Sequence, residues 1–174
     1  QKLEDALARF TGAEAAGICG AAYFGGAIYF SVFAGSGRTV YCDETVHSNQ
    51  FLGMRGAGLE IRTFRHLDAA DLGSKLAAHK GPPPIVATDG VYGISGEVAP
   101  LAEIVEAARK AKAEIFVDDA HGFGALGAHG RGALELCGVG PAPDVTLLGS
   151  MSKAMGCNGG FLAGRRELVE KFRR

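Results

Sequence analysis

The chain has 174 residues, 18 Lys and Arg against 19 Asp and Glu, and a formal net charge of -1. This length suits one domain with a real core, and a near-neutral charge without blocks of one sign excludes a surface built chiefly for nucleic acid or another polyanion. No apolar run reaches the ~18 residues of a membrane span and no signal-peptide pattern stands out, so the expectation is a cytoplasmic chain without membrane contact, any organellar targeting upstream of Gln1 being left open.

The 27 glycines follow no collagen-like period, so they read as tight turns and close backbone approaches. Cys19, Cys42, Cys137 and Cys157 lie far apart without metal or disulfide spacing, as reduced cysteines do. In chain order, Leu3, Ala6, Leu7 and Phe10 recur at helical spacing. Ala15 to Gly20 reads as a short buried strand, after which Gly20-Ala-Ala-Tyr-Phe-Gly-Gly26 turns into an apolar helix reaching Phe33. A small-residue turn at a helix start exposes backbone amides and suits a phosphate. Arg38 to Asp43 is the second strand, His47 falls at the next strand-to-helix junction, and the glycines at 53, 56 and 58 end the helix that follows.

Leu59 to Arg65 is the third strand, and Asp68 caps a helix carrying Leu72 and Leu76, with Asp71 near the favourable end of its dipole. His66 and His79 gain nothing from their context. Three prolines, Pro82 to Pro84, stiffen the approach to strand Ile85 to Thr88, which runs into the rim loop Asp89-Gly-Val-Tyr-Gly-Ile-Ser-Gly96. Pro100 is expected as the first residue of a helix whose buried face is Leu101, Ile104, Val105 and Ala108. Glu114 to Asp118 is a strand, followed by a glycine-rich loop from Gly122 to Gly132, a short helix, the strand through Val145, Leu147 and Leu148, a last strand from Gly159 to Gly164, and a helix from Arg165. Arg165, Arg166, Arg173 and Arg174 read as a solvated basic face. Seven strands alternating with helices predict an α/β, three-layer αβα architecture around a mostly parallel, doubly wound sheet.

Two strand ends carry the chemistry. Asp144-Val-Thr-Leu-Leu-Gly-Ser-Met-Ser-Lys153 delivers an amine just past one strand, where ligands of open parallel sheets gather. Glu114-Ile-Phe-Val-Asp-Asp-Ala-His121 ends another in two carboxylates and an imidazole, groups that a core tolerates only with partners. An amine, a carboxylate, a hydroxyl (Ser150) and an imidazole on one rim fit pyridoxal phosphate. Lys153 would bond the cofactor aldehyde, a carboxylate would keep the pyridine nitrogen protonated, His121 would meet the ring hydroxyl and Ser150 the phosphate. Alternation along the strand says only that Asp118 and Asp119 point to opposite faces. Cys157 lies close to Lys153 and reads as a small packing residue.

Val117-Asp-Asp-Ala-His-Gly122, Gly127-Ala-His-Gly-Arg-Gly132, Asp89-Gly-Val-Tyr92, Gly96-Glu-Val-Ala-Pro-Leu101, Asp43-Glu-Thr-Val-His-Ser48, Phe64-Arg-His-Leu-Asp68 and Gly149-Ser-Met-Ser-Lys-Ala154 with Gly159-Gly-Phe161 together resemble the α-oxoamine synthase family, and the likeness covers nearly the whole chain. The resemblance implies the cofactor-binding large domain of a fold-type I pyridoxal-phosphate transferase over residues 1–174, with an N-terminal segment and a smaller C-terminal domain outside it. It implies a homodimer, and condensation of a small amino acid with an acyl-CoA, with decarboxylation, to give an aminoketone. The 174-residue chain by itself is then expected to bind cofactor at best and to turn over poorly. By the same resemblance Lys153 is the Schiff-base lysine and proton shuttle, Asp118 pairs with the ring nitrogen, His121 meets the ring hydroxyl, His47 stacks on the ring, and Ser150 with the amides of Ala22 and Tyr23 holds the phosphate. The wording leans slightly toward the 8-amino-7-oxononanoate synthases, with glycine C-acetyltransferases and serine palmitoyltransferases close behind. Ala21, Gly26 and Gly93 depart from the family, which carries Ser, Asn and a small hydroxyl residue there.

Three other readings compete. The strand at Ile115 to His121 resembles an acidic nucleotide-hydrolase strand, but no G-x-x-x-x-G-K-[ST] loop accompanies it. Asp118, Asp119 and His121 could ligate a metal, although no further ligands stand at sensible spacing. A non-catalytic subunit of the same fold fits the changes at Ala21, Gly26 and Gly93 and conflicts with Lys153, Asp118, His47 and His121.

Overall fold

In the computed structural model, which describes residues 1–173, the strands are β1 (Ala15–Cys19), β2 (Thr39–Asp43), β3 (Glu60–Phe64), β4 (Ile85–Asp89), β5 (Glu114–Asp118), β6 (Val145–Ser150) and β7 (Gly160–Gly164). The helices are α1 (Lys2–Thr11), α2 (Gly25–Ser31), α3 (Ser48–Gly56), α4 (Ala69–Ala77), α5 (Leu101–Lys110), α6 (Ala133–Leu136) and α7 (Arg166–Phe172), with one 3₁₀ turn at Ala22–Phe24. One seven-stranded sheet results, in the order β1-β7-β6-β5-β4-β2-β3. The pairs from β6 through β5, β4 and β2 to β3 are parallel, and β7 runs antiparallel to both β6 and β1.

Strands covered by helices on both faces read as continuous apolar runs, and every residue of β2, β4, β6 and β7 is buried. β3, at the sheet edge, buries only Phe64. Alternation splits the interior in two. Tyr41, Val86, Ile115 and Val117 pack with α4 and α5 on one face, while Val40, Cys42, Ile85, Ala87, Phe116 and Leu148 pack with α2 and α3 on the other. Asp89, Asp118 and Ser150 each lie two residues beyond a member of the second set, so the pleat carries them to the α2–α3 face. The parallel register sets Asp89 beside Asp118. Chain order reverses where β4 adds to the far side of β2 from β3, and in such sheets ligands bind outside the carboxyl ends of the strands near that switch.

Asp68 caps α4 as expected, accepting from Asp71 N at 2.8 Å. Three expectations shift. Of α1's four apolar positions only Leu7 is buried, and Leu3 is 49% exposed. Pro100 is the residue before α5 and not its first, and its carbonyl accepts from Ile104 N at 3.0 Å. The arginines do not form a free basic face: Arg165 pairs with Glu114 at 2.9 Å, Arg166 donates to Glu14 O at 2.8 Å, and Arg173 pairs with Glu4 at 3.0 Å and donates to Ala16 O at 2.8 Å. Arg166 and Arg173 bind the last helix to α1, β1 and the turn between them, and Arg165 ties its start to β5. Arg174 lies outside the described residues.

Candidate active site

A cavity of about 220 Å³ opens at the carboxyl ends of β4, β5 and β6. Ala22, Tyr23, His47, Asp118, His121, Ser150 and Lys153 all line it, the seven residues singled out from the sequence, together with Asp89, Asn49, Val91, Gly93 and Ser152. Lys153 Nζ stands 2.8 Å from His121 Nε2. The two residues come from the loops after β6 and β5, neighbouring strands in parallel register.

Asp118 is 7% exposed, and its Oδ1 accepts from Ala120 N at 3.1 Å. Burial drives its pKa up, against the Ala120 amide and the positive charges of Lys153 and His47, and burial wins. No ion pair within 4.0 Å neutralises it among the described residues, so a cation entering the cavity would find a carboxylate ready for it. His121 shifts the other way: burial, then the charges of Lys153 and His47, lower its pKa and keep the ring neutral. Asp119 leaves the site. Its side chain is fully buried and accepts from Ala133 N at 2.8 Å, capping the start of α6 from the opposite face. Asp118, Asp119 and His121 therefore do not converge, which removes the metal-ligand reading of these three.

The second wall comes from α3 and the 3₁₀ turn. His47 is the N-cap of α3, with Nδ1 2.7 Å from Asn49 Oδ1, and Asn49 Nδ2 donates to Tyr23 O at 2.8 Å. Tyr23 and His47 meet edge to face with centroids 6.4 Å apart. The turn's first amides have no intrahelical acceptor, and Ser150 Oγ lies 2.9 Å from Ser152 Oγ on the adjoining wall. Close backbone approach closes this corner, because a Cβ at Gly160 on β7 would overlap the backbone of Ala22. Such a cradle of amides and hydroxyls fits a phosphate, the buried Asp118 fits a protonated ring nitrogen, and Lys153 fits an aldehyde, so the donor set suits pyridoxal phosphate. The family departures have a local reading as well. A Cβ at Gly93 would overlap the His121 ring, whereas one at Gly26 would meet nothing nearer than 3.5 Å.

Sequence reasoning missed Asp89. It is 6% exposed, accepts from Gln50 Nε2 and from His47 N, and burial with the adjacent Asp118 charge pushes its pKa up to about 8. The signal was available, since Asp89 ends an apolar strand just as Asp118 does. His66 and His79 also gain partners: His66 sits between Asp43 and Glu97, and His79 bridges Tyr41 Oη at 3.2 Å and Pro82 O at 2.9 Å. Cys157 is exposed and does not line the cavity.

Fold and site together define a large domain of the aminotransferase class I and II type, and that family matches residues 1–174 throughout: the chain belongs to it. Within it the chain is similar to the 8-amino-7-oxononanoate synthase of Methylococcus capsulatus (strain Bath), with 41% identity over 169 residues, 97% of this chain and 43% of that protein. Sphingomonas wittichii serine palmitoyltransferase superposes with a TM-score of 0.90 at 36% identity, covering 98% of this chain and 43% of that one. A serine palmitoyltransferase solved with pyridoxal phosphate superposes with a TM-score of 0.88 at 32% identity, covering 99% and 43%. The chain thus spans less than half the length of the relatives it matches.

Proposed function

We propose that this chain is the cofactor-binding large domain of a pyridoxal-phosphate-dependent C-acyltransferase. The reaction condenses a small amino acid with an acyl-CoA thioester and releases carbon dioxide to give an aminoketone. One observation carries the reading: a buried carboxylate with no cationic partner among the described residues, Asp118, and an amine, Lys153, line one cavity in a chain of this family. When bound, the cofactor supplies an electron sink for negative charge developing at the amino-acid Cα.

The protein's own residues do the rest. Lys153 would hold the cofactor through its amine and, as the base of the site, would carry a proton to and from the substrate Cα. Asp118 keeps the ring nitrogen cationic through a charge-assisted hydrogen bond in a dry site. Neutral His121 orients the ring hydroxyl and shares the Lys153 proton. His47 covers the ring face, and the Ala22 and Tyr23 amides with the Ser150 hydroxyl bind the phosphate.

Among family members the proposed activity is closest to 8-amino-7-oxononanoate synthesis, a step of biotin biosynthesis, with glycine C-acetyltransferase and serine palmitoyltransferase activities as alternatives. A homodimer working in the cytoplasm completes the proposal. The test uses the intact protein. Addition of pyridoxal phosphate should produce a visible absorption band that Lys153→Ala abolishes, after which glycine, alanine and serine are screened against short and long acyl-CoA thioesters. Absence of the band in the unsubstituted protein would sink the reading in favour of a non-catalytic subunit.

A further inference from the structure

The two walls of the cavity meet at one imidazole outside it. β2 ends in Asp43, whose carboxylate is fully buried and accepts from Thr45 N at 2.9 Å, Thr45 Oγ1 at 2.8 Å and Leu67 N at 2.9 Å. His66 Nδ1 lies 3.0 and 3.1 Å from its two oxygens. This knot fixes the segment running from Asp43 to His47, the residue that lines the cavity. Leu67 is held at φ 57, a left-handed conformation that a branched side chain seldom adopts and that persists here with its amide on Asp43.

The opposite nitrogen of His66 reaches the other wall. Nε2 lies 3.2 Å from Glu97 Oε2, and the ring meets Tyr92 edge to face with centroids 4.5 Å apart. Tyr92 and Glu97 belong to the loop between β4 and α5. Within it Tyr92 N donates to Glu97 O at 2.9 Å, Gly96 N donates to Tyr92 O at 2.7 Å, and Val91 bridges Val98. The same loop turns Val91 and Gly93 into the cavity, Gly93 packing so closely against His121 that an added Cβ would have to displace the ring.

We infer that His66, as the imidazolium, is a positioning residue that pins the His47 segment and the 90–98 loop to each other and so holds the cavity at the width its ligand needs. The groups facing it are Asp43 at the end of β2, Thr45, whose Oγ1 lies 2.7 Å from His66 Nδ1, Glu44, whose carboxylate accepts from His66 N at 3.1 Å, Glu97 on the loop, and the Tyr92 ring. Three of the five are acidic. Burial works against the charged ring, and the hydrogen bonds and charges of Asp43 and Glu97 outweigh it, so the His66 pKa lies above its ordinary value. The sign follows: the clamp is present at low pH and is lost as pH rises through the His66 titration. Only the ligand readout below rests on the pyridoxal-phosphate reading; the clamp itself does not.

The experiment compares the intact protein with Glu97→Gln and His66→Gln, both of which keep a hydrogen-bonding group and remove one charge. Glu97 is half exposed, so its substitution leaves the fold standing. The His66 titration is followed by NMR, and amide exchange of Val46, Tyr92 and Gly96 is measured across it in cofactor-free protein after correction for intrinsic base catalysis. Protection in the unsubstituted protein should fall about three- to tenfold as His66 deprotonates, the scale of a partly exposed charge-assisted contact. Both variants should show the lower protection at every pH and no pH step. Pyridoxal phosphate affinity should weaken by a similar factor in both variants and in the unsubstituted protein at high pH. Identical exchange profiles in Glu97→Gln and the unsubstituted protein would overturn the inference, as would a uniform loss of protection over the whole chain. A protein that never takes up the cofactor but shows the exchange step would overturn the cofactor reading and leave the clamp.

Discussion

Lys153 Nζ and His121 Nε2 are 2.8 Å apart, although 32 residues separate them in the chain. The lysine donates and the imidazole accepts, an arrangement that needs a neutral ring, and burial together with the Lys153 and His47 charges keeps it neutral. In the cofactor-free site amine and base therefore share one proton through this hydrogen bond.

Lys153→Ala should abolish both the visible cofactor band and turnover. His121→Ala should keep the band and lower kcat by about 10²-fold, the usual worth of a positioned acid–base group. Absorbance titration with single-turnover kinetics separates the two, and a His121→Ala enzyme with full kcat would refute the shared proton.

Asp118→Asn keeps the shape and removes the charge. On the role proposed for Asp118, turnover should fall by at least about 10²-fold, because the ring nitrogen would lose the carboxylate holding it cationic. The cofactor-free variant should melt no lower than the parent, since burial already disfavours the Asp118 charge. A clear drop in its melting temperature would contradict this account of the site's electrostatics.

The pH dependence of stability has a definite sign. Asp89 and Asp119 are pushed up to about 8 and about 7 by burial, against about 3.9 in an unfolded chain. The folded state thus keeps protons that the unfolded chain gives up. Stability of the cofactor-free protein should fall by a few kcal/mol as pH rises from about 4 and level off above the Asp89 value. Asp43 and Glu135 act in the opposite sense, but only as pH falls below the ordinary carboxylate range. Urea melts from acid to alkaline pH measure the slope. Asp89→Asn should flatten its upper part, and an unchanged slope in that variant would assign the dependence elsewhere.

Two glycines test the cavity's walls. Gly160→Ala brings a methyl onto the Ala22 backbone, which has no rotamer to escape into, so a loss of about 1–3 kcal/mol is expected. Weaker cofactor binding should accompany it. Gly93→Ser meets a side chain, the His121 ring, which can move. That variant should fold normally and shift the pH midpoint of the cofactor band, because His121 would no longer sit on the Lys153 amine. An unshifted midpoint would mean that the ring does not report on the lysine.

Much of the fold was legible in the chain because local rules agreed with one another. Apolar runs such as Ile85 to Thr88 and Ile115 to Val117 are what a two-sided sheet demands, and Asp68 capped the helix it should cap. The reading failed where a partner came from far away. Arg166 and Arg173 read as solvated because Glu14, Ala16 and Glu4 are more than 150 residues distant in sequence.

The sequence by itself determined the inventory: seven strands, their apolar faces, and an amine, a carboxylate and an imidazole at strand ends, all set by periodicity and short-range sterics. Only the tertiary structure decided which atoms meet. It turned Asp118 into the cavity and Asp119 to the cap of α6, added Asp89 beside Asp118, and gave His66 its two carboxylates. The reason is that burial and proximity belong to pairs of segments brought together by packing, and a carboxylate's charge, unlike a helix's period, depends on what lies across the sheet from it.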